Sequence, residues 1–308
     1  MHHYWSLEAV HLQNAWLTIG SFDGVHRGHQ EIIRKMTTGA HTAGAPAVVL
    51  AFFPRPAVVL GKRQDLYYLT TPEERAEIME GLGVDVVITH PFNLEIANME
   101  ARQFLLELKA HLALSHLWVG YDFALGRGRE GDVSTLRRFG KELGYQLHVV
   151  KPVQAANGYV SSSLIRKKLA EGDMNIVTQL LGRQYQIEGA VIHGDGRGQA
   201  LGIPTANLEV WPERALPKAG VYVCRAHNAS ESWGALTNVG VRPTFEAKPV
   251  SPRVEAHLLD FDRDLYGQSI CLEFITRLRD EQRFPNVNAL VAQIQQDILR
   301  GREILGSG

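Results

Sequence analysis

Cysteine is nearly absent: the 308-residue chain has only Cys224 and Cys271. They are far apart, lack CxxC spacing and lie in apolar, strand-like runs. They therefore read as buried thiols, which excludes a disulfide framework and implies a reducing compartment. A charge excess is absent too: 32 Lys and Arg against 33 Asp and Glu leave a net charge of −1. No basic field points to nucleic acid. Long apolar runs are missing, since the longest stretch, around residues 45–53, falls far short of the about 20 residues that span a bilayer. The N-terminal Met1-His2-His3-Tyr4-Trp5 lacks a basic segment followed by an apolar core, so no secretory signal is expected. No low-complexity linker and no internal repeat is visible. A cytoplasmic protein with no nucleic-acid or membrane partner is expected, with room for weak self-association. What is present is ordinary globular material, 45% hydrophobic and 21% charged, in a length that suits two domains.

The first half alternates strands and helices. Strands are expected at 16–20, 47–53, 84–88, 116–119 and 146–150, the second a continuous apolar run as in a buried parallel strand. Helices are expected at 28–42 and 99–112, after Asp132 to Leu143, and from about Ser162. Thr71-Pro72-Glu73-Glu74 carries an N-cap, a proline at the first helical position and a capping box. This order implies an open parallel sheet with helices on both faces, whose ligands lie beyond the strand carboxyl ends. Past Gly182 the pattern changes. Strands at 185–193, 220–227, 233–239, 253–261 and 269–278, then one helix at 287–304, suggest a small antiparallel barrel with a terminal helix. The expected domains are 1–182 and 183–308.

Four segments of the first half carry chemistry. Leu17-Thr18-Ile19-Gly20-Ser21-Phe22-Asp23-Gly24-Val25-His26-Arg27-Gly28-His29 runs strand, tight turn, histidine pair, helix. Glycines at 20 and 24 let backbone approach a ligand, and the helix N-terminus favours an anion, which suits a nucleoside triphosphate. A surface or metal-binding histidine pair is the plainer alternative. Gly120-Tyr121-Asp122-Phe123-Ala124-Leu125-Gly126-Arg127-Gly128-Arg129-Glu130-Gly131 reads as a flexible cationic loop whose arginines can grip phosphate. Asp122 could take the polar edge of a base or flavin. A solvated surface loop fits the same composition. Ser161-Ser162-Ser163 before Arg166 offers hydroxyls and N–H groups for phosphate, or plain N-capping. Phe53-Pro54-Arg55-Pro56 reads as an extended, rigid turn.

In the second half, His193-Gly194-Asp195-Gly196-Arg197-Gly198 leads through Gly202 into Pro204-Thr205-Ala206-Asn207. The glycines allow backbone N–H groups to wrap phosphates. The loop is neither a Walker A motif nor a dinucleotide fingerprint. Thr205 and Asn207 offer neutral oxygen ligands suited to Mg²⁺ shared with ATP phosphates. Glu255, in an apolar strand, can take a proton from an attacking hydroxyl, or pair with an arginine at a barrel rim.

Together these segments resemble the bacterial bifunctional riboflavin kinase/FAD synthetase family. Its first module shows G-x-F-D-G-x-H-x-G-H, P-x-P, G-x-D-F-x-F-G-x-x-R-x-G and S-S-T-x-I-R. Its second shows a glycine-rich loop with G-x-P-T-A-N, and the match continues through Asn238-Val239-Gly240-Val241-Arg242-Pro243-Thr244-Phe245, Val254-Glu255-Ala256-His257 and Arg279-Asp280-Glu281-Gln282-Arg283-Phe284. Ser21, Leu125 and Ser163 depart from the usual asparagine, phenylalanine and threonine. The resemblance implies a Rossmann-like nucleotidylyltransferase domain followed by a riboflavin kinase β-barrel, with riboflavin, FMN and ATP as substrates and Mg²⁺ as cofactor.

It further implies ATP or phosphate contacts from Gly20, Ser21, Phe22, Asp23, Gly24, Gly28, Ser162, Ser163, Gly194, Gly196, Arg197, Gly198 and Gly202. Flavin contacts would come from Pro54, Pro56, Asp122, Phe123 and Arg129 in the first module and Arg279 and Phe284 in the second. Thr205 and Asn207 would hold Mg²⁺, Glu255 would be the base, and His26, His29 and Arg166 would supply charge or donors. Two rivals remain at this point: an adenylyltransferase whose barrel only binds flavin, and a zinc hydrolase using Asp23, His26 and His29.

Overall fold

The structure, a computed structural model, describes all residues except 62–66, 156–157, 195–197, 199–200, 242–251 and 307–308. The chain divides into two compact units, Met1–Ser162 and Ser163–Gly308.

The strands of the first unit are β1 (His2–Tyr4), β2 (Trp16–Gly20), β3 (Ala47–Phe53), β4 (Val86–Pro91), β5 (His116–Gly120), β6 (Ala124–Leu125), β7 (Gly131–Asp132), β8 (Gln146–Val150), β9 (Gln154–Ala155) and β10 (Gly158–Tyr159). Six of them form one parallel sheet in the order β1-β4-β3-β2-β5-β8. The chain steps outward from β2 to β3 and β4, then returns to the other side of β2 at β5. This reversal opens a crevice beyond the carboxyl ends of β2 and β5, the place where open α/β sheets bind ligands.

The helices are α1 (Arg27–Thr42), α2 (Pro56–Val59), α3 (Pro72–Glu80), α4 (Leu94–Asn98), α5 (Ala101–Leu112) and α6 (Val133–Leu143). Alternate residues of β3 serve opposite faces, as the strand repeat requires. Val48, Leu50 and Phe52 join a core with Phe104, Leu105, Leu108 and Leu112 of α5. Ala47, Val49 and Ala51 join another with Ile33, Met36 and Ala40 of α1 and with Ala76 and Met79 of α3.

Four expectations for this unit change. The strand placed at 84–88 lies at Val86–Pro91. The helix placed at 99–112 starts two residues later, as α5 at Ala101, and a short helix not expected, α4, precedes it, with Met99 extended between them at φ −69°, ψ 137°. Pro56 does not prolong an extended turn: it opens α2, with Arg55 as N-cap. Residues 120–131 are no flexible loop, because β6 pairs with β7 and the chain packs on the start of α5. There a Cβ at Gly126 (φ +78°) would stand 2.6 Å from the Ala101 nitrogen. Glu130 Oε1 accepts the Ala101 N–H at 2.8 Å and so caps α5.

The second unit contains most of α7 (Ser162–Glu171), then α8 (Met174–Leu181) and the terminal α9 (Val287–Gly306). Its strands are β11 (Tyr185–Ile192), β12 (Ala206–Glu209), β13 (Gly220–His227), β14 (Ser232–Val241), β15 (Pro252–Leu258) and β16 (Ser269–Arg279). They close into an antiparallel barrel in the order β11-β12-β15-β14-β13-β16. The expected barrel lacked β12, whose four residues contribute only Leu208 to the core. α8 packs on β11 and β16, and α9 on β13 and β14. The units therefore divide earlier in the chain than the expected 182/183 boundary.

Candidate active sites

In the first unit the loop after β2 is built on buried polar side chains. Asp23 is fully buried; its Oδ1 accepts the Leu69 N–H at 2.9 Å and the Thr70 N–H at 3.3 Å. Its Oδ2 lies 3.6 Å from Arg55 Nη1. Arg75, also buried, donates from Nη1 to the Ser21 carbonyl at 2.8 Å. Thr70 Oγ1 accepts the Gly24 N–H at 3.0 Å, and Ser162 Oγ donates to the Asp23 carbonyl at 2.8 Å. Phe22, Gly24 and Val25 all have positive φ, at 48°, 80° and 38°. The turn is thus held in a conformation that most residues avoid.

This turn delivers the histidines to the start of α1. His26 is the N-cap, and its Nδ1 accepts the His29 N–H at 3.3 Å. In its neutral form the His26 ring therefore carries its proton on Nε2. The two rings stack with centroids 3.6 Å apart, and Phe22 meets His29 edge-on at 5.0 Å. Gly28 fits because a Cβ there would press to 3.1 Å on the His26 ring. His29 Nδ1 is buried and has no hydrogen-bond partner among the described residues. Burial holds the His29 pKa well below 6.5, with the positive fields of His26 and Arg75 acting in the same direction. Imidazole rings at a helix N-terminus are groups of a kind that can meet an anion.

Asp122, Phe123 and Arg129 come together, lining an open cleft of about 750 Å³ with Arg137, Arg138 and Lys141 of α6. Arg129 Nη2 donates to the Asp122 carbonyl at 2.7 Å. Pro54 and Pro56 are not among the residues lining it. Leu125, which stands where phenylalanine is usual, belongs to the hydrophobic core and is not among the residues lining the cleft. Arg166 stands on α7 in the second unit. The zinc rival loses its ligand set, because the Asp23 carboxylate is turned to Leu69, Thr70 and Arg55. Among the described residues no group of three His, Cys, Asp or Glu is placed to hold a metal ion.

In the second unit strand register assembles the site. Asn207 pairs with Glu255, Glu255 with Asn238, Asn238 with Val221, and Val221 with Arg279. Directly opposed residues share a face, so one row crosses five strands. Glu255, Arg279 and Phe284 line a cavity of about 290 Å³, closed by Leu290 and Ile294 of α9. A neighbouring cavity of about 510 Å³ is lined by Gly194, Asn207 and Tyr266. Gly198 and Thr205 line both. Gly194 sits so close to Asn207 that a Cβ would lie 2.2 Å from the amide nitrogen. Gly196, Arg197 and the 242–245 segment lie outside the described residues.

Sequence reasoning missed the partners that hold these groups. Arg279 is fixed by Asp297 of α9, with Nη2 to Oδ2 at 2.7 Å and Nε to Oδ2 at 2.9 Å. Gln293 Nε2 steadies the other Asp297 oxygen at 3.0 Å. Arg253 contacts both Asn207 and Glu255. Arg55 and Arg75, buried beneath the first loop, were also overlooked. The one available signal was an arginine locked between two prolines.

Comparison with known proteins covers both units. The FAD synthetase family matches residues 8–164, and the riboflavin kinase family residues 181–305. The chain is 34% identical over 284 residues to the bifunctional riboflavin kinase/FMN adenylyltransferase of Bacillus subtilis, across 91% of this chain and 89% of that one. It is 36% identical over 288 residues to the enzyme of that name from Pseudomonas fluorescens, across 93% and 92%. A crystal structure described as a macrolide-efflux protein from Streptococcus pneumoniae matches with a TM-score of 0.89 at 27% identity, over 97% and 98% of the two chains.

Proposed function

This chain belongs to the bifunctional riboflavin kinase/FMN adenylyltransferase family, and on that premise we propose how its residues divide two ATP-dependent steps. In the barrel the riboflavin 5′-hydroxyl attacks the γ-phosphate of ATP. Glu255 takes the hydroxyl proton, the new O–P bond forms as the bond to ADP breaks, and FMN results. In the first unit an FMN phosphate oxygen attacks the α-phosphate of a second ATP, giving FAD and releasing pyrophosphate. Catalysis in both is positioning and charge stabilisation.

The observation that carries the kinase reading is the pair of cavities sharing Thr205 and Gly198. One is lined by Gly194 and Gly198 of the glycine-rich loop, which we assign to the phosphates. The other has the carboxylate, with Arg279 and Phe284 beside it for the flavin. A nucleotide and an alcohol placed in the two would meet at Thr205. Thr205 and Asn207 suit Mg²⁺, a hard cation that takes oxygen ligands and shares them with substrate phosphates. Asn207 Oδ1 already faces a positive group, the Arg253 guanidinium at 3.3 Å, so it is an oxygen turned toward a cation. Bound there, Mg²⁺ would screen the phosphate charge.

For adenylylation, His26, His29 and the α1 N-terminus are assigned to the phosphates, with Arg166 as a further cation. Asp23, Phe22 and Ser162 contribute by holding the loop backbone, in which Gly20, Ser21 and Gly28 lend N–H groups while Gly24 anchors the turn through its N–H on Thr70 Oγ1. Asp122, Phe123 and Arg129, with Pro54 and Pro56, are assigned to the flavin. The efflux wording attached to the structural relative matches none of these groups, and among the described residues no helix is long and apolar enough to cross a membrane. We place the enzyme in the cytoplasm, where its two free thiols persist.

The test is to incubate the protein with riboflavin, Mg²⁺ and ATP and resolve FMN and FAD by chromatography. Glu255→Gln should abolish FMN formation while FMN-to-FAD conversion stays near normal. Normal kinase turnover in that variant would remove Glu255 from the mechanism.

A further inference from the structure

Resting on the kinase reading above, we propose that Arg253 is a positioning residue of the barrel site, its guanidinium occupying the cation's place beside Asn207 and Glu255 until the metal–nucleotide complex displaces it from Asn207. Arg253 Nη2 and Nε lie 3.3 and 3.4 Å from Asn207 Oδ1. The same Nε pairs with Glu255 Oε1. The three groups converge for a reason written in the strands. Asn207 and Glu255 are register partners on β12 and β15. Arg253 precedes Glu255 by two residues, so both side chains leave β15 on one face.

Asn207 has little room to turn away. The Gly194 backbone packs on its amide, where a Cβ would come within 2.9 Å of Oδ1 and 2.2 Å of Nδ2. Its oxygen is therefore presented in one direction, and that direction holds a guanidinium. A divalent cation and a guanidinium repel each other strongly at such range. Metal and Arg253 accordingly compete for Asn207 Oδ1.

Glu255 has the opposite interest. Its side chain is 21% exposed, and a carboxylate so placed needs a counter-charge. Arg253 supplies it and holds one carboxylate oxygen in a fixed orientation. The Arg253 side chain, 33% exposed, has solvent into which to shift. On metal binding it leaves Asn207 and keeps Glu255. The site thus exchanges some metal affinity for an oriented base.

The full-length protein and its Arg253→Gln and Arg253→Lys variants test this. Binding of Mn²⁺ in the presence of ADP is followed by electron paramagnetic resonance, alongside the Mg²⁺ dependence and kcat of FMN formation. Arg253→Gln should bind Mn²⁺–ADP roughly threefold to tenfold more tightly, since one nearby, partly screened positive charge is gone. Its half-saturating Mg²⁺ should fall in parallel, and its kcat should drop roughly tenfold. Arg253→Lys keeps the charge without the planar fork. It should restore native metal affinity and only part of the turnover, and it serves as the deciding variant where Arg253→Gln fails to fold. Unchanged or weaker Mn²⁺ binding in a folded Arg253→Gln protein would overturn the proposal, as would tighter binding in Arg253→Lys. Unaltered protein that makes no FMN at any Mg²⁺ concentration would instead overturn the kinase reading.

Discussion

His26 occupies a helix N-cap, where Ser, Thr, Asp and Asn are preferred. An imidazole there does two things at once. Its Nδ1 accepts the His29 N–H and so caps the helix, and in the neutral ring the proton lies on Nε2. His29 stacks on it and carries a buried Nδ1 that has no hydrogen-bond partner among the described residues. The unfolded chain takes up more protons than the folded one as the pH falls below 6.5, because the folded pKa of His29 is depressed. The stability that His29 contributes is complete above that value and is lost as the pH drops through the folded pKa. His3, His90, His116 and His148 shift the same way, each mainly through burial. His29→Ala should lower adenylylation on the order of a hundredfold, the range for losing a transition-state donor. Riboflavin phosphorylation should persist, and acid unfolding should become shallower. Loss of both activities with an unfolded circular dichroism spectrum would make His29 a structural residue.

Elements explain why some of this was legible in the sequence and some not. The capping box at Thr71 and Glu74 forms as read, with Glu74 N–H on Thr71 Oγ1 at 3.2 Å and Thr71 N–H on Glu74 Oε2 at 2.9 Å. Asp132 caps α6 through the Thr135 N–H at 2.8 Å. Such signals are local, so a single chain displays them. Val48, Leu50 and Phe52 announce a buried strand by composition. β12 does not, because Ala206, Asn207 and Glu209 are spent on the site and the barrel surface. Pairings between elements, such as Arg279 with Asp297 of α9 or Arg253 with Asn207 across strands, depend on helix docking and register that no local pattern encodes. The glycine loop shows the same limit, since Gly194 read as backbone freedom yet also provides room for the Asn207 amide. Gly194→Ala should force that amide aside, cutting FMN formation at least tenfold and raising the half-saturating Mg²⁺. Adenylylation of supplied FMN should stay near normal. Kinase kinetics unchanged in Gly194→Ala would show that the Asn207 position is not critical.

At the scale of the whole molecule the question is where the kinase begins. The riboflavin kinase match starts at residue 181, whereas the second compact unit starts at Ser163. The helices between them are not a passive linker. α8 buries Met174, Val177, Leu180 and Leu181 and packs on β11 and β16. The Lys218 N–H donates to the Leu169 carbonyl of α7 at 3.0 Å, tying that helix to the approach to β13. Removing both helices exposes these apolar contacts, and burying one such side chain contributes about 1.5–3 kcal/mol. A fragment of residues 163–308 should therefore fold as a barrel and make FMN from riboflavin and Mg-ATP. It should make no FAD, because the loop of residues 20–29 is gone. EDTA should stop the reaction and added Mg²⁺ restore it. A fragment of residues 183–308 keeps every proposed kinase group, from Gly194 to Phe284, and should retain the reaction but unfold at a lower temperature. Equal melting temperatures would mean that α7 and α8 contribute nothing to the barrel and would move the boundary to residue 182. A folded 163–308 fragment that binds flavin without phosphorylating it would favour the rival in which the barrel only binds.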